Sequence, residues 1–132
     1  MVLVGYGVDR LPFFLAREAP VEVEHRVDTP DGAAAIARAH RSLGVEAAVV
    51  LCNPIASERA LDRDELMAAT ARAETRMREA GVAGKEVTPF LLRALSDETD
   101  GRSVDANLVL LEDNARLAAD VGVAISAARS ER

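Results

Sequence analysis

The sequence predicts an α/β fold, a strand-helix-strand unit followed by three helices, and three observations predict it. Residues Val2 to Val4 form a short apolar run that ends at Gly5, Tyr6 and Gly7, the pattern of a buried strand emptying into a loop. The run Ala47 to Leu51 is continuously apolar, as expected of a parallel strand covered on both faces. Between the two, Thr29 and Pro30 supply a helix start and Gly44 a helix stop.

The remaining elements follow from capping and periodicity. Alternation of Val21, Val23 and Val27 predicts a second extended segment before the first helix, whose inner face would be Ala33, Ile36, Ala37, His40 and Leu43. Asn53 and Pro54 break the strand after Leu51. Asp62 with Glu65 three residues on has the spacing of a capping box, opening a helix that ends at Gly81. Its apolar positions are Leu66, Ala69, Ala73, Met77 and Ala80, and its charges face water. Thr88 and Pro89 start a shorter helix through about Glu98, Gly101 ends it, and Ser103 caps a last helix running to about Ala127. One domain therefore occupies residues 1–128, and residues 129–132 read as a polar tail.

Composition narrows the functional classes. The chain has 132 residues, about the size of one domain, and a hydrophobic content of 49%, enough for a continuous core. A net charge of −6, with no basic run and 3% aromatic residues, argues against a nucleic-acid surface. No stretch is apolar enough to span a bilayer and the start lacks signal-peptide architecture, so a cytoplasmic location is expected. The single cysteine, Cys52, reads as a small buried hydrophobe in a reducing compartment.

Few side chains carry a chemical signal. His40 lies near the inner stripe of its helix and His25 in a polar run, neither with a second ligand at metal spacing. Gly5, Tyr6 and Gly7 lack the third glycine of a dinucleotide fingerprint and read as a turn. Lys85, the one lysine, sits in a Gly-rich connection with nothing nearby to activate its amine. Asp62, Asp64 and Glu65 are explained by capping and the helix dipole. Asn107 and Asn114 are different, because they fall a heptad apart on the helical stripe of Leu110, Leu111, Leu117, Ala118, Val121 and Ile125, which should pack inward. A buried amide needs a partner, which here is either a structural hydrogen bond or a small molecule in a site the amide lines.

Four segments together resemble one family. VGYGVDRLPFF at residues 4 to 14, NPI at 53 to 55, GKEVTPFLL at 84 to 92 and GRSVDANLVLLEDNARLAA at 101 to 119 are similar to the C-terminal part of pseudouridine-5′-phosphate glycosidases, the indigoidine synthase A-like family. Departures from the family pattern are Val8 in place of threonine, Phe13 to Leu15, Ala56 in place of proline, and Glu112 and Asp113 before Asn114, where paired asparagines are typical.

The resemblance implies a partial α/β/α layered fold from a homotrimeric, manganese-dependent enzyme. Such enzymes reversibly cleave pseudouridine 5′-phosphate to uracil and ribose 5-phosphate through an imine on a lysine, with an acidic residue moving protons. The family's catalytic lysine, glutamate and metal-binding aspartate lie in the N-terminal part, so neither catalytic residues nor metal ligands are carried onto this chain, and Lys85 does not match the nucleophile. One contact carries over: the asparagine that reads the uracil edge matches Asn107. The chain is then expected to be inactive alone. Its alternatives are a non-catalytic remnant or oligomerisation module, or the C-terminal half of a split enzyme completed by a missing N-terminal half. In each case a sheet edge or apolar face should stand exposed, favouring self-association.

Overall fold

In the computed structural model, which describes residues 1–130, three parallel strands stand in the order β2-β1-β3. Strand β1 (Val2–Tyr6) is central, flanked by β2 (His25–Val27) and β3 (Val49–Cys52). Four helices follow the expected punctuation: α1 (Pro30–Ser42), α2 (Arg63–Glu79), α3 (Val87–Glu98) and α4 (Arg102–Ser130). A single 3-10 turn, Gly84–Glu86, leads into α3. The last helix passes the expected end at Ala127. Of the polar tail predicted for 129–132, residues 129 and 130 continue the helix and 131–132 lie outside the described residues.

The starts of α1 and α2 are made by short polar side chains, as their spacing predicts, whereas α3 begins at Val87, one residue before the expected Thr88, with no side-chain cap. Thr29 caps α1 by accepting from the Gly32 N–H at 3.1 Å. Asp62 caps α2, accepting from the N–H groups of Asp64 (3.0 Å) and Glu65 (2.9 Å). The other half of the capping box is absent, because the Glu65 carboxylate is taken by Arg102 at the start of α4. Ser103 is not the cap of α4. It is buried in the first turn, and its N–H donates to the hydroxyl of Thr99 (3.1 Å), which itself donates to the Leu95 carbonyl (2.8 Å). Thr99 thus satisfies the end of α3 and the beginning of α4 with one fully buried group.

Three expectations need correction. The extended segment from Val21 is a strand only over His25–Val27. Upstream it folds back on the loop after β1, Leu11 N–H donating to Val21 (2.8 Å) and Val23 N–H to Asp9 (3.0 Å). Strand β3 is not buried on both faces, since Val50 is 38% exposed, for a reason that lies in the sheet's cover. Leu43, placed on the inner face of α1, is exposed at the helix end.

Residues of β1 and β3 in register share a face, so Val4, Val49 and Leu51 point the same way. They meet Ala33, Ile36 and Ala37 of α1 and Val121 of α4. A second core lies beyond the strand ends, where Leu15, Ile55, Leu61, Leu66, Leu95 and Leu110 pack together from loops, α2, α3 and the first half of α4. Helix α4 therefore serves both layers, and both Asn107, the predicted site residue, and Asn114 ride on it.

Candidate functional site

The buried line of α4 runs through Ser103, Ala106, Leu110 and Leu117. At about 100° per residue this line leaves Leu111 and Ala118 off to one side, exposed rather than inward as predicted. Asn107 and Asn114 lie on the same side, between the buried line and the exposed Leu111 and Ala118 one turn further on, at the rims of two separate cavities rather than beneath packed side chains.

Asn107 is half-buried in a cavity of about 420 Å³ between α2, α3 and α4. The walls around it are almost wholly apolar, with Leu91, Leu92, Leu95 and Ala73 supplied by the helices. Two threonines also reach it, but the Thr70 hydroxyl is committed to the Leu66 carbonyl at 2.8 Å. Among the described residues nothing hydrogen-bonds the Asn107 amide, which leaves one donor group and one acceptor for a ligand.

Phe14 closes the same cavity from a tight turn. Phe13 and Ala16 exchange backbone hydrogen bonds of 3.2 and 2.9 Å, so Phe14 and Leu15 form the two-residue tip. Leu15 anchors the tip in the core, its carbonyl accepting from Leu61 N–H at 2.8 Å. Phe14 adopts φ 50°, a left-handed conformation uncommon for a bulky residue, and the residue remains 44% exposed. The strain is held by the Leu15 anchor. Phe14 and Thr88 were not legible as site residues from periodicity; the only signal was their presence in the LPFFLA and KEVTPF strings.

Asn114 is exposed and accepts from the Asn53 amide at 3.0 Å, tying the end of β3 to α4. The two line a second cavity of about 580 Å³ at the carboxyl end of the sheet, with Leu11, Pro12 and Cys52. Burial raises the Cys52 thiol above its ordinary pKa, the opposite of nucleophilic activation.

Lys85 is exposed in the 3-10 turn and lines neither cavity. His25 is exposed on β2; the Nε2 of His40 is buried without a partner, away from both cavities. No three His, Cys, Asp or Glu side chains gather among the described residues, so these residues do not fit the manganese ion that the resemblance implies. No helix among the described residues is long and apolar enough to cross a membrane.

An α/β fold with an apolar, amide-bearing slot at the junction of three helices is the class these features define. The chain belongs to the family described as indigoidine synthase A like protein, which matches residues 1–124. It is 41% identical over 128 residues to the pseudouridine-5′-phosphate glycosidase of Methylobacterium nodulans, covering 97% of this chain and 38% of that protein. The enzyme of the same name from Gemmatimonas aurantiaca is 42% identical over 123 residues, 93% of this chain and 40% of that one. Among solved structures, a prealnumycin C-glycosynthase in complex with ribulose 5-phosphate superposes with TM-score 0.86 at 35% identity, over 100% of this chain and 43% of its own. The indigoidine synthase A-like protein of Thermotoga maritima gives TM-score 0.82 at 31% identity, over 96% and 40%. The chain thus spans about two fifths of the length of its relatives.

Proposed function

We propose that this chain supplies the base-holding wall of a pseudouridine-5′-phosphate glycosidase-type site, in which pseudouridine 5′-phosphate is reversibly cleaved to uracil and ribose 5-phosphate. The observation that carries the proposal is the free Asn107 amide in an apolar slot faced by Phe14. A planar pyrimidine matches that slot. Its carbonyl can accept from the Asn107 N–H and its ring N–H can donate to the Asn107 oxygen, while Phe14 and the leucines exclude water from the reacting base. The lysine that forms the sugar imine, and any metal site, belong to the part of the enzyme beyond this chain's span.

The test uses a chimera, with this chain replacing the matching segment of the Methylobacterium nodulans relative. Asn107→Asp keeps the shape and removes the donor. It is expected to lower kcat/KM for uracil release by about tenfold to a few hundredfold, the equivalent of roughly 1–3 kcal/mol, with little change in Tm. Unfolding by Asn107→Asp and Asn107→Ala, with the folded fraction fully active, would make Asn107 a structural residue. The chain alone should release no uracil with manganese present and yield no borohydride-trapped adduct on Lys85.

A second reading, a non-catalytic oligomerisation module, is favoured by one observation. Val104, Leu108 and Leu111 form an exposed apolar stripe on α4. An inactive chimera that is folded and still assembles would support it.

A further inference from the structure

The two edges of the sheet are built differently. On β2, Arg26 donates to Asp9 (2.7 Å) and Asp28 (2.9 Å), and a short, charged strand is how a protein blunts an edge that stays exposed. The sequence of β3 is Val-Val-Leu-Cys, with no charge and no proline, the composition of a strand with neighbours on both sides. Val2 N–H donates to the Ala48 carbonyl at 2.8 Å and Val2 pairs with Val49. Ala48 and Val50 therefore turn their peptide groups toward β1, while Val49 and Leu51 turn theirs outward. Among the described residues no strand pairs with that outward side.

The two faces differ as well. Helices α1 and α4 cover Val4, Val49 and Leu51, whereas Leu3, Gly5, Val50 and Cys52 point the other way. The loop after β1 covers the upper end of this second face so closely that a Cβ on Gly5 would lie 2.1 Å from the Val8 oxygen and 2.9 Å from Val23. Below it Val50 stands 38% exposed beside the half-buried Leu3. A parallel sheet is stable with helices on both faces, and here one face is only partly covered at Leu3 and Val50.

We propose that the β3 edge and the Leu3–Val50 face dock the part of the family fold that the longer relatives carry beyond this chain's span. A further parallel strand pairs with Val49 and Leu51, and its crossover helix lies over Leu3 and Val50. The occupant follows from length: the C-glycosynthase contains the whole of this fold in 43% of its chain, so more than half of that chain lies outside it. This proposal rests on the family and stands whether or not Asn107 reads a base.

The experiment is residue-resolved hydrogen exchange on the isotope-labelled chain, alone and with the complementary segment of the Methylobacterium nodulans relative added as a separate polypeptide. Alone, the Val49 and Leu51 amides should exchange freely while the Val50 amide, bonded to β1, is protected. With the segment added, an equimolar complex should form and slow Val49 and Leu51 by at least about 100-fold. Val50→Asp should abolish the complex, and Val123→Asp, at a site already 70% exposed on α4, should leave it intact. No complex between folded partners, or a complex in which Val49 and Leu51 still exchange freely, would overturn the proposal. So would protection of the two amides in the chain alone at high concentration, which would mean that a second copy pairs with the edge. Should Val50→Asp unfold the chain, the wild-type protection pattern still decides. Complex formation in which Asn107→Asp leaves uracil release unchanged would support docking and remove only the base-reading proposal.

Discussion

The helical layer and the sheet layer of this molecule differ in how far each closes on itself. The helical layer joins α2, α3, the first half of α4 and two loops around Leu15, Ile55, Leu66, Leu95 and Leu110, all buried. Its rim is tied by ion pairs, Glu65 with Arg102 and Glu98 with Arg72 and Arg76. The sheet layer buries one face under the alanine-rich α1 and the second half of α4, with both strand edges and part of the other face left open among the described residues. Stability made within the chain is thus concentrated in the helices. The sheet leaves apolar surface at Val50 open among the described residues.

The sharpest way to break this comparison is a pair of truncations. Leu66→Ala removes a side chain only 2% exposed from the helical core and should cost about 2–5 kcal/mol through lost transfer energy and a cavity. Val50→Ala on the open face should change the stability of the chain alone by no more than about 0.5 kcal/mol. Chemical denaturation of the two variants measures both. Equal losses would mean that the sheet face is covered in solution and that the two layers are equally closed.

A smaller effect tests how the helical layer is held at its turn. Thr99→Ala strips the buried hydroxyl that serves both Leu95 and Ser103, leaving the Ser103 N–H without its acceptor, and should cost about 1–2 kcal/mol. Thr99→Ser keeps the hydroxyl and should recover most of the loss. If serine and alanine are equally destabilising, the threonine methyl and its packing matter more than the shared hydrogen bonds.

The same contrast explains what the sequence disclosed. The starts of α1 and α2 and the ends of α1, α2 and α3 were legible because caps are local: Thr29, Asp62 and the glycines Gly44, Gly81 and Gly101 act on groups within a few residues. Thr99 was not, because its bonds join the end of one helix to the start of the next across the turn at Asp100 and Gly101, both with positive φ. The strand β3 was legible as apolar, but its exposure was not, since a run of apolar residues records the neighbours a strand is built for, whether or not the same chain supplies them. At the site, Asn107 stood out as a polar residue on an apolar stripe, while Phe14 comes to the cavity only through the turn that Leu15 anchors. Asn114 carried the same signal as Asn107 and instead bonds Asn53 in the open, a distinction that rests on a contact between residues 61 positions apart.

The finest test divides the two layers by pH. Glu65 and Glu98 are held below the usual glutamate range, chiefly by hydrogen bonds from Arg102 and Arg72 respectively. A depressed folded value means that their stabilisation is complete above the unfolded value of about 4.3 and is lost as pH falls through the folded value. Glu65 is exposed, and Glu98, though half-buried, pairs with exposed arginines, so the loss should be small and should shrink as added salt screens the pairs. Cys52 behaves oppositely. Burial raises its thiol, so its contribution is present below the unfolded value of about 8.5 and is lost as pH rises through the raised folded one. Acid should therefore loosen α2, α3 and α4 first, and alkali the end of β3. Amide exchange followed from pH 3 to 10 separates the two limbs, with Glu65→Gln and Glu98→Gln together flattening the acid one and Cys52→Ala the alkaline one. If acid instead released β3 before the helices, the ion pairs would not be what distinguishes the closed layer from the open one.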